Sequence, residues 1–197
     1  MAFNVSEFTS QISKRGGLTR NNRFAVRFTS PPALTDRSNV VRDIEYWCEA
    51  INIPGYQLMT HNVNRWTYGV TEKRPFAPMF PQLQLQFLID NNNSIVDLFE
   101  AWMQQIIPHN TRNGINQDQS ASGILGIVPY EVTYKTNYVT DLNLYVYSES
   151  GKIIRQIVCK EAFPVHVQDI PFAWNQTNDI AKMTVTFDFL DWFTEVV

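Results

Sequence analysis

From Gln82 to Asp90 apolar and polar residues alternate. Leu83, Leu85, Phe87 and Ile89 fall on one face of a pleated strand, and Gln82, Gln84 and Gln86 fall on the other. Asn91-Asn92-Asn93 breaks the run, because short amide side chains compete with ladder hydrogen bonds and favour turns and caps. Ile95, Phe99, Trp102 and Ile106 then recur at helical spacing, widened by Leu98, Met103 and Ile107, with Asp97, Glu100, Gln104 and Gln105 opposite. Asn93 or Ser94 is placed to cap this helix, Asp97 favours the positive end of its dipole, and Pro108 ends it. The pattern predicts a half-buried strand near 82–90 feeding an amphipathic helix near 94–107. That helix should pack on a sheet of its own chain, since packing supplies most helical stability.

The same alternation predicts strands near 22–29, 45–53, 139–147, 152–160 and 181–191. The 139–147 and 152–160 runs flank Ser148-Glu149-Ser150-Gly151 and read as a hairpin. A further strand is read at Tyr130–Lys135. Phe3–Ile12 is either a short helix, with Ser6 as its cap, or a docking arm. Ala33–Val41 reads as an exposed loop, Lys73–Pro81 as an irregular three-proline connector, and Glu161–Trp174 as an aromatic loop bounded by proline. Tyr56–Glu72 can form two strands about Asn62-Val63-Asn64, with Trp66, Tyr68 and Val70 on one face of the second. Its weak burial pattern suits a protruding hairpin. His109–Gly126 is rich in Asn, Gln, Ser and Gly and reads as a long surface loop. The fold class is therefore mainly β (α+β): an antiparallel β-sandwich or barrel with one main α-helix against the sheet.

At 197 residues, with 44 % hydrophobic and 13 % aromatic content, one domain spanning 1–197 suffices. It carries an N-terminal arm (1–20) and a polar inserted loop (109–126). The net charge of −3 argues against tight nucleic-acid binding. The basic residues Arg20, Arg23 and Arg27 read as a solvated face. No apolar run approaches the ~20 residues that span a bilayer, and no secretory signal is visible, so neither a membrane anchor nor export is expected. Cys48 and Cys159 read as two buried free thiols in a reducing cytoplasm.

Catalytic chemistry does not emerge. His61, His109 and His166 sit in unrelated contexts without an i,i+4 ligand pair, and no GxSxG elbow or P-loop is present. Asp188 and Asp191, three apart on a strand, would point to opposite faces. The chain reads as no enzyme, with no metal or cofactor. What it offers is uncharged polar strand faces, Gln82, Gln84 and Gln86 on one strand and Thr184 and Thr186 on another. These suit the solvent side of a half-buried sheet, or a surface facing something that must not stick.

Three stretches, taken in order, resemble a known family. Gly17-Leu18-Thr19-Arg20-Asn21-Asn22-Arg23-Phe24-Ala25-Val26-Arg27-Phe28 looks like its opening, and Cys48-Glu49-Ala50-Ile51-Asn52-Ile53-Pro54-Gly55 like its second strand and proline turn. The alternating strand followed by Leu98-Phe99-Glu100-Ala101-Trp102 looks like its strand and helix. A loop from Phe163-Pro164 precedes a long final strand ending Phe187-Asp188-Phe189-Leu190-Asp191-Trp192, which also fits. The family is that of the tail-tube proteins of contractile-tailed bacteriophages, which includes baseplate tube-initiators and is similar in fold to the type VI secretion tube.

The resemblance implies a virion structural protein, assembled in the host bacterial cytoplasm and located in the phage tail. Homo-hexameric rings would pair strand to strand and stack into a tube carrying the genome. The tube's partners would be the sheath, the baseplate and the tape-measure protein, with DNA passing unbound. Tyr56, His61, Asn62, Asn64 and Trp66 would contact the next ring. A lumen that lets DNA slide should be neutral or acidic. Gln84, Gln86, Thr184, Thr186 and Asp188 are then lumen candidates, with Arg20, Arg23 and Arg27 outside the lumen or paired. The alternatives are a baseplate tube-initiator ring and, from another class, a soluble β-sandwich binding module.

Overall fold

The computed structural model describes residues 4–64, 69–108, 132–174 and 180–195. Strand β1 (Phe24–Phe28) pairs with β6 (Thr140–Tyr147), and β6 with β7 (Ile153–Val167). The downstream half of β7 pairs with β8 (Lys182–Asp188), β8 with β5 (Leu83–Leu88), and β5 with β2 (Cys48–Ile51). Every ladder is antiparallel, and the path β1-β6-β7-β8-β5-β2 does not close on itself. The antiparallel sheet and its packed helix are as the sequence predicts.

Helix α3 (Ser94–Ile106) covers the inner face. Its buried Ile95, Leu98, Phe99 and Trp102 meet Leu83, Leu85, Phe87, Met183, Val185 and Phe187 in one core. Phe99 stacks on Trp102 at 6.3 Å, and Phe28 and Phe187 lie 6.0 Å from the Trp102 ring. The Trp102 indole N–H donates to the Tyr138 carbonyl at 2.8 Å, which satisfies the one polar atom this side chain brings inside.

Several local expectations are corrected. Ala33–Val41 is not a loop: Pro32–Arg37 forms a 3-10 segment and Ser38–Asp43 a short helix, α2, which bury Leu34 and Val41. Its apolar positions are too sparse to display a helical stripe. Ile44–Tyr46 is a 3-10 turn, so the strand expected at 45–53 shortens to β2. Thr133 and Tyr134 are not in a strand, and Lys135–Tyr138 makes a helical turn, α4. At the N-terminus α1 (Val5–Lys14) is capped by Asn4, whose side chain accepts from the Ser6 amide, rather than by Ser6.

Asn93 sits at the N-cap of α3 in the left-handed region (φ 55°) without a side-chain cap bond. The Asp90 carboxylate takes that role and accepts from the Ile95 amide at 3.3 Å. Burial raises the Asp90 carboxyl, but bonds from the Ser94 hydroxyl and the Ile95 and Ser94 amides outweigh it and hold the group below its ordinary value.

Prolines account for two further corrections. The three-proline connector contains a strand, β4 (Glu72–Met79), which pairs with β3 (Gln57–Val63) through a bulge at Met59/Thr60. A two-stranded ribbon has free edges where a missing N–H costs no ladder bond. Glu161–Val167 is likewise strand, the continuation of β7, despite Pro164. Glu161 at φ 52° bends β7 there, so its upstream half stays beside β6 while its downstream half joins β8. The terminal strand also splits at Leu190. A separate β9 (Asp191–Glu195) returns along Gln156–Lys160 of β7. The long polar loop expected at 109–126, and Trp66 and Tyr68, lie outside the described residues.

Candidate functional site

The bend in β7 leaves a four-strand unit, β2-β5-β8-β7, whose outer face carries the polar residues singled out from the sequence. Gln84 lies opposite Thr186, and Gln86 opposite Thr184. Asp188, at the end of β8, receives a bond from the Gln82 amide at 3.5 Å. All five lumen candidates, Gln84, Gln86, Thr184, Thr186 and Asp188, thus share two adjacent strands. Gln84 is exposed, Thr186 is buried, and the other three are half-buried.

His166 opposes Thr186 on β7 and extends this face. The sequence reading missed it by ending the strand at 160; the Val165-His166-Val167 alternation was the available signal. Lys182 also lies on this face, and its ammonium is held by Glu49 at 2.6 Å. The face is neutral to weakly acidic.

Both edges of this unit lack a strand partner among the described residues. β2 pairs only with β5, and Phe163–Val167 pairs only with β8, because the β6 ladder stops at Ala162. Unpaired edges of this kind are templates for another chain.

The β3–β4 hairpin leaves the body where β5 begins and pairs only with itself. Tyr56 at its base packs on Trp192, whose indole N–H donates to the Gly55 carbonyl at 3.2 Å. Farther out, His61 meets Phe76 edge-on at 5.8 Å, and Asn62 and Asn64 are exposed. Leu58, Met59, Phe76 and Met79 are also exposed, an apolar display with no core to serve. The structure therefore gathers Tyr56, His61, Asn62 and Asn64 onto one projection.

The basic residues are engaged within the subunit, away from the polar face. Arg20 pairs with Glu149 at 3.1 Å, Arg27 with Glu45 at 2.5 Å, and Arg23 donates to the Ser148 and Glu149 carbonyls. The Glu45 hydrogen bond raises the Arg27 guanidinium further. Cys48 and Cys159 are free thiols, and burial pushes each up to about 12. Among the described residues no three His, Cys, Asp or Glu side chains are arranged to hold a metal ion, and no helix is long and apolar enough to cross a membrane.

Among solved structures, the chain is similar to one from the sixfold-symmetrised baseplate of the anti-feeding prophage. That pair has a TM-score of 0.60 and 11 % identity, over 90 % of this chain and 95 % of that one. It is also similar to two chains of the extracellular contractile injection system PVC in its extended state. The match from the sheath/tube terminator has TM-score 0.54 and 14 % identity, over 91 % and 97 % of the two chains. The match from the sheath–tube complex has TM-score 0.53 and 13 % identity, over the whole of both chains. At such identities the likeness is one of fold. No curated protein matches the chain by sequence. A family model described as phage tail tube protein matches residues 19–195, and so the chain belongs to the phage tail tube family, whose members are structural tube proteins rather than enzymes.

Proposed function

We propose that this chain is the repeating subunit of a tail tube, forming hexameric rings that stack into the conduit through which a phage genome leaves the particle. One observation carries the reading: a four-strand unit with a neutral polar face and an open edge on either side. Along β7-β8-β5-β2 the strand directions alternate, so setting β2 of one subunit beside Phe163–Val167 of the next continues the alternation. Six copies then close a single antiparallel barrel without edges. Roughly 24 strands spaced ~4.8 Å apart and tilted ~40° trace a backbone circle about 48 Å across, which side chains narrow to about 40 Å.

The polar face would line this bore, with Gln84, Gln86, Thr184, Thr186 and Asp188 toward the passing DNA. Lysine or arginine held against phosphates would add salt-sensitive drag. Here Lys182 is matched by Glu49, and the Arg20–Arg27 cluster sits elsewhere, on the β1 segment. Tyr56, His61, Asn62 and Asn64 on the hairpin would reach the next ring. The sheath would enclose the tube, the tape-measure protein would set its length, and the baseplate would hold its end.

A repeating subunit is favoured over a baseplate initiator because one of the two candidate additions, Ala33–Val41, contributes Leu34 and Val41 to the core instead of forming an attachment. Negative-stain microscopy of the purified protein should show sixfold rings or tubes with a bore of that size. A protein that stays monomeric at all concentrations refutes the proposal, and a single ring per particle, found by copy counting, assigns the initiator role instead.

A further inference from the structure

The tube reading, on which this inference rests, leaves a groove of about 790 Å³ unused. The groove opens on the four-strand unit at the end defined by Leu88 and Lys182, and the segment 168–174 and Ile180 overhang it. Phe172 and Ile180 line it, and Trp174 follows in the same segment. Their exposures of 80 %, 64 % and 105 % mark an apolar patch that the subunit itself does not cover.

Strand register fixes where this groove lies relative to the hairpin. Leu83, at the start of β5, is opposite Phe187, and Leu88, at its end, is opposite Lys182. The hairpin leaves the body at the Leu83 end and the groove sits at the Leu88 end, about 17 Å away along the strand. In a closed barrel strands run from rim to rim, tilted but never circumferential. The hairpin and the groove therefore belong to opposite rims of a ring.

We infer that the groove is the receptor for the β3–β4 hairpin of a second copy of this chain in the adjacent ring. Both surfaces are apolar and exposed. Their charges are complementary: the hairpin strands carry Glu72, Lys73 and Arg74, a net of one positive charge, and the groove carries Glu49, Asp169 and Lys182, a net of one negative. A head-to-tail contact between unlike surfaces propagates without limit, whereas hairpin meeting hairpin would join two rings and stop.

The test uses two substitutions at exposed sites, Val70→Glu on the hairpin connection and Phe172→Glu in the groove, with ring formation and stacking scored by electron microscopy. Each variant alone should form rings and lose tubes. Rings of the two variants, assembled separately and then mixed, should recover two-ring stacks and nothing longer, because only one intact hairpin side and one intact groove side remain. Normal tubes from Phe172→Glu, a Phe172→Glu chain that no longer forms rings, or a mixture without ring pairs overturns this inference alone. A wild-type chain that forms no rings overturns the tube reading together with it.

Discussion

Trp102→Phe tests the core that holds the proposed bore wall in shape. Trp102 is fully buried, and its ring sits among Phe28, Phe99 and Phe187. Phenylalanine keeps part of that contact. The smaller ring forfeits roughly 40 Å² of buried apolar area, about 1 kcal/mol at 25 cal/mol/Å². It also removes the indole N–H that satisfies the Tyr138 carbonyl at 2.8 Å, and an orphaned buried acceptor costs about 1–3 kcal/mol. The expected loss is about 2–4 kcal/mol, a large share of a typical ~5–15 kcal/mol stability. Trp102→Ala should approach or exceed the upper end of that loss, since truncation of a buried aromatic costs about 3–5 kcal/mol. The assay is guanidinium unfolding followed by circular dichroism. It is run on a subunit kept from assembling, because ring formation would add mass-action stabilisation. An unchanged denaturant slope with a lowered midpoint is expected. A loss below about 0.5 kcal/mol would refute the assignment of this bond and packing as stabilising.

Deleting Asn62–Asn64 from the hairpin should leave the circular dichroism and melting of the subunit intact while abolishing tubes; normal-length tubes would contradict the inter-ring role. Gln84→Lys should convert an inert bore into one that retains duplex DNA, with binding that weakens as salt rises by about 0.9 log units per log unit of salt for each phosphate engaged. DNA retention by the wild type would contradict the neutral-lumen assignment. Asp90→Ala should cost about 0.5–2 kcal/mol, as loss of a cap does. Because the folded Asp90 carboxyl is held below its unfolded value, its contribution is present above the ordinary carboxylate range and fades as pH falls through the folded value. The difference between wild type and Asp90→Ala should shrink in acid, and a gap that is constant from neutral pH to pH 3 would count against the cap. Cys48 and Cys159, pushed up to about 12 by burial, should resist thiol reagents at pH 8 in the folded protein and react fully in denaturant. Their neutral thiols favour the fold below the ordinary thiol range, and that contribution declines as pH rises toward 12.

Period-two and period-3.6 patterns were enough to specify β5, α3 and the β6–β7 hairpin, because a side chain's face follows from local backbone geometry alone. The lumen candidates were legible for the same reason: Gln84 and Gln86 must share a face wherever that strand lies. Order and spacing of these elements likewise sufficed to bring the tail tube family to mind. Tertiary structure decided what depends on partners distant in sequence. Pro75, Pro78 and Pro164 read as breakers until the ladders showed strands that pass through them without losing needed bonds. Ala33–Val41 looked exposed because its helical turns bury only Leu34 and Val41, under a core built by other segments. Only the bend at Glu161 separates a four-strand unit from the rest of the sheet. That division gathers His166 with the polar face, opens the edge at Phe163–Val167, and sets the hairpin and the groove at opposite ends of the same strands. No local pattern encodes that arrangement, because it is a relation between strand registers rather than a property of any one strand.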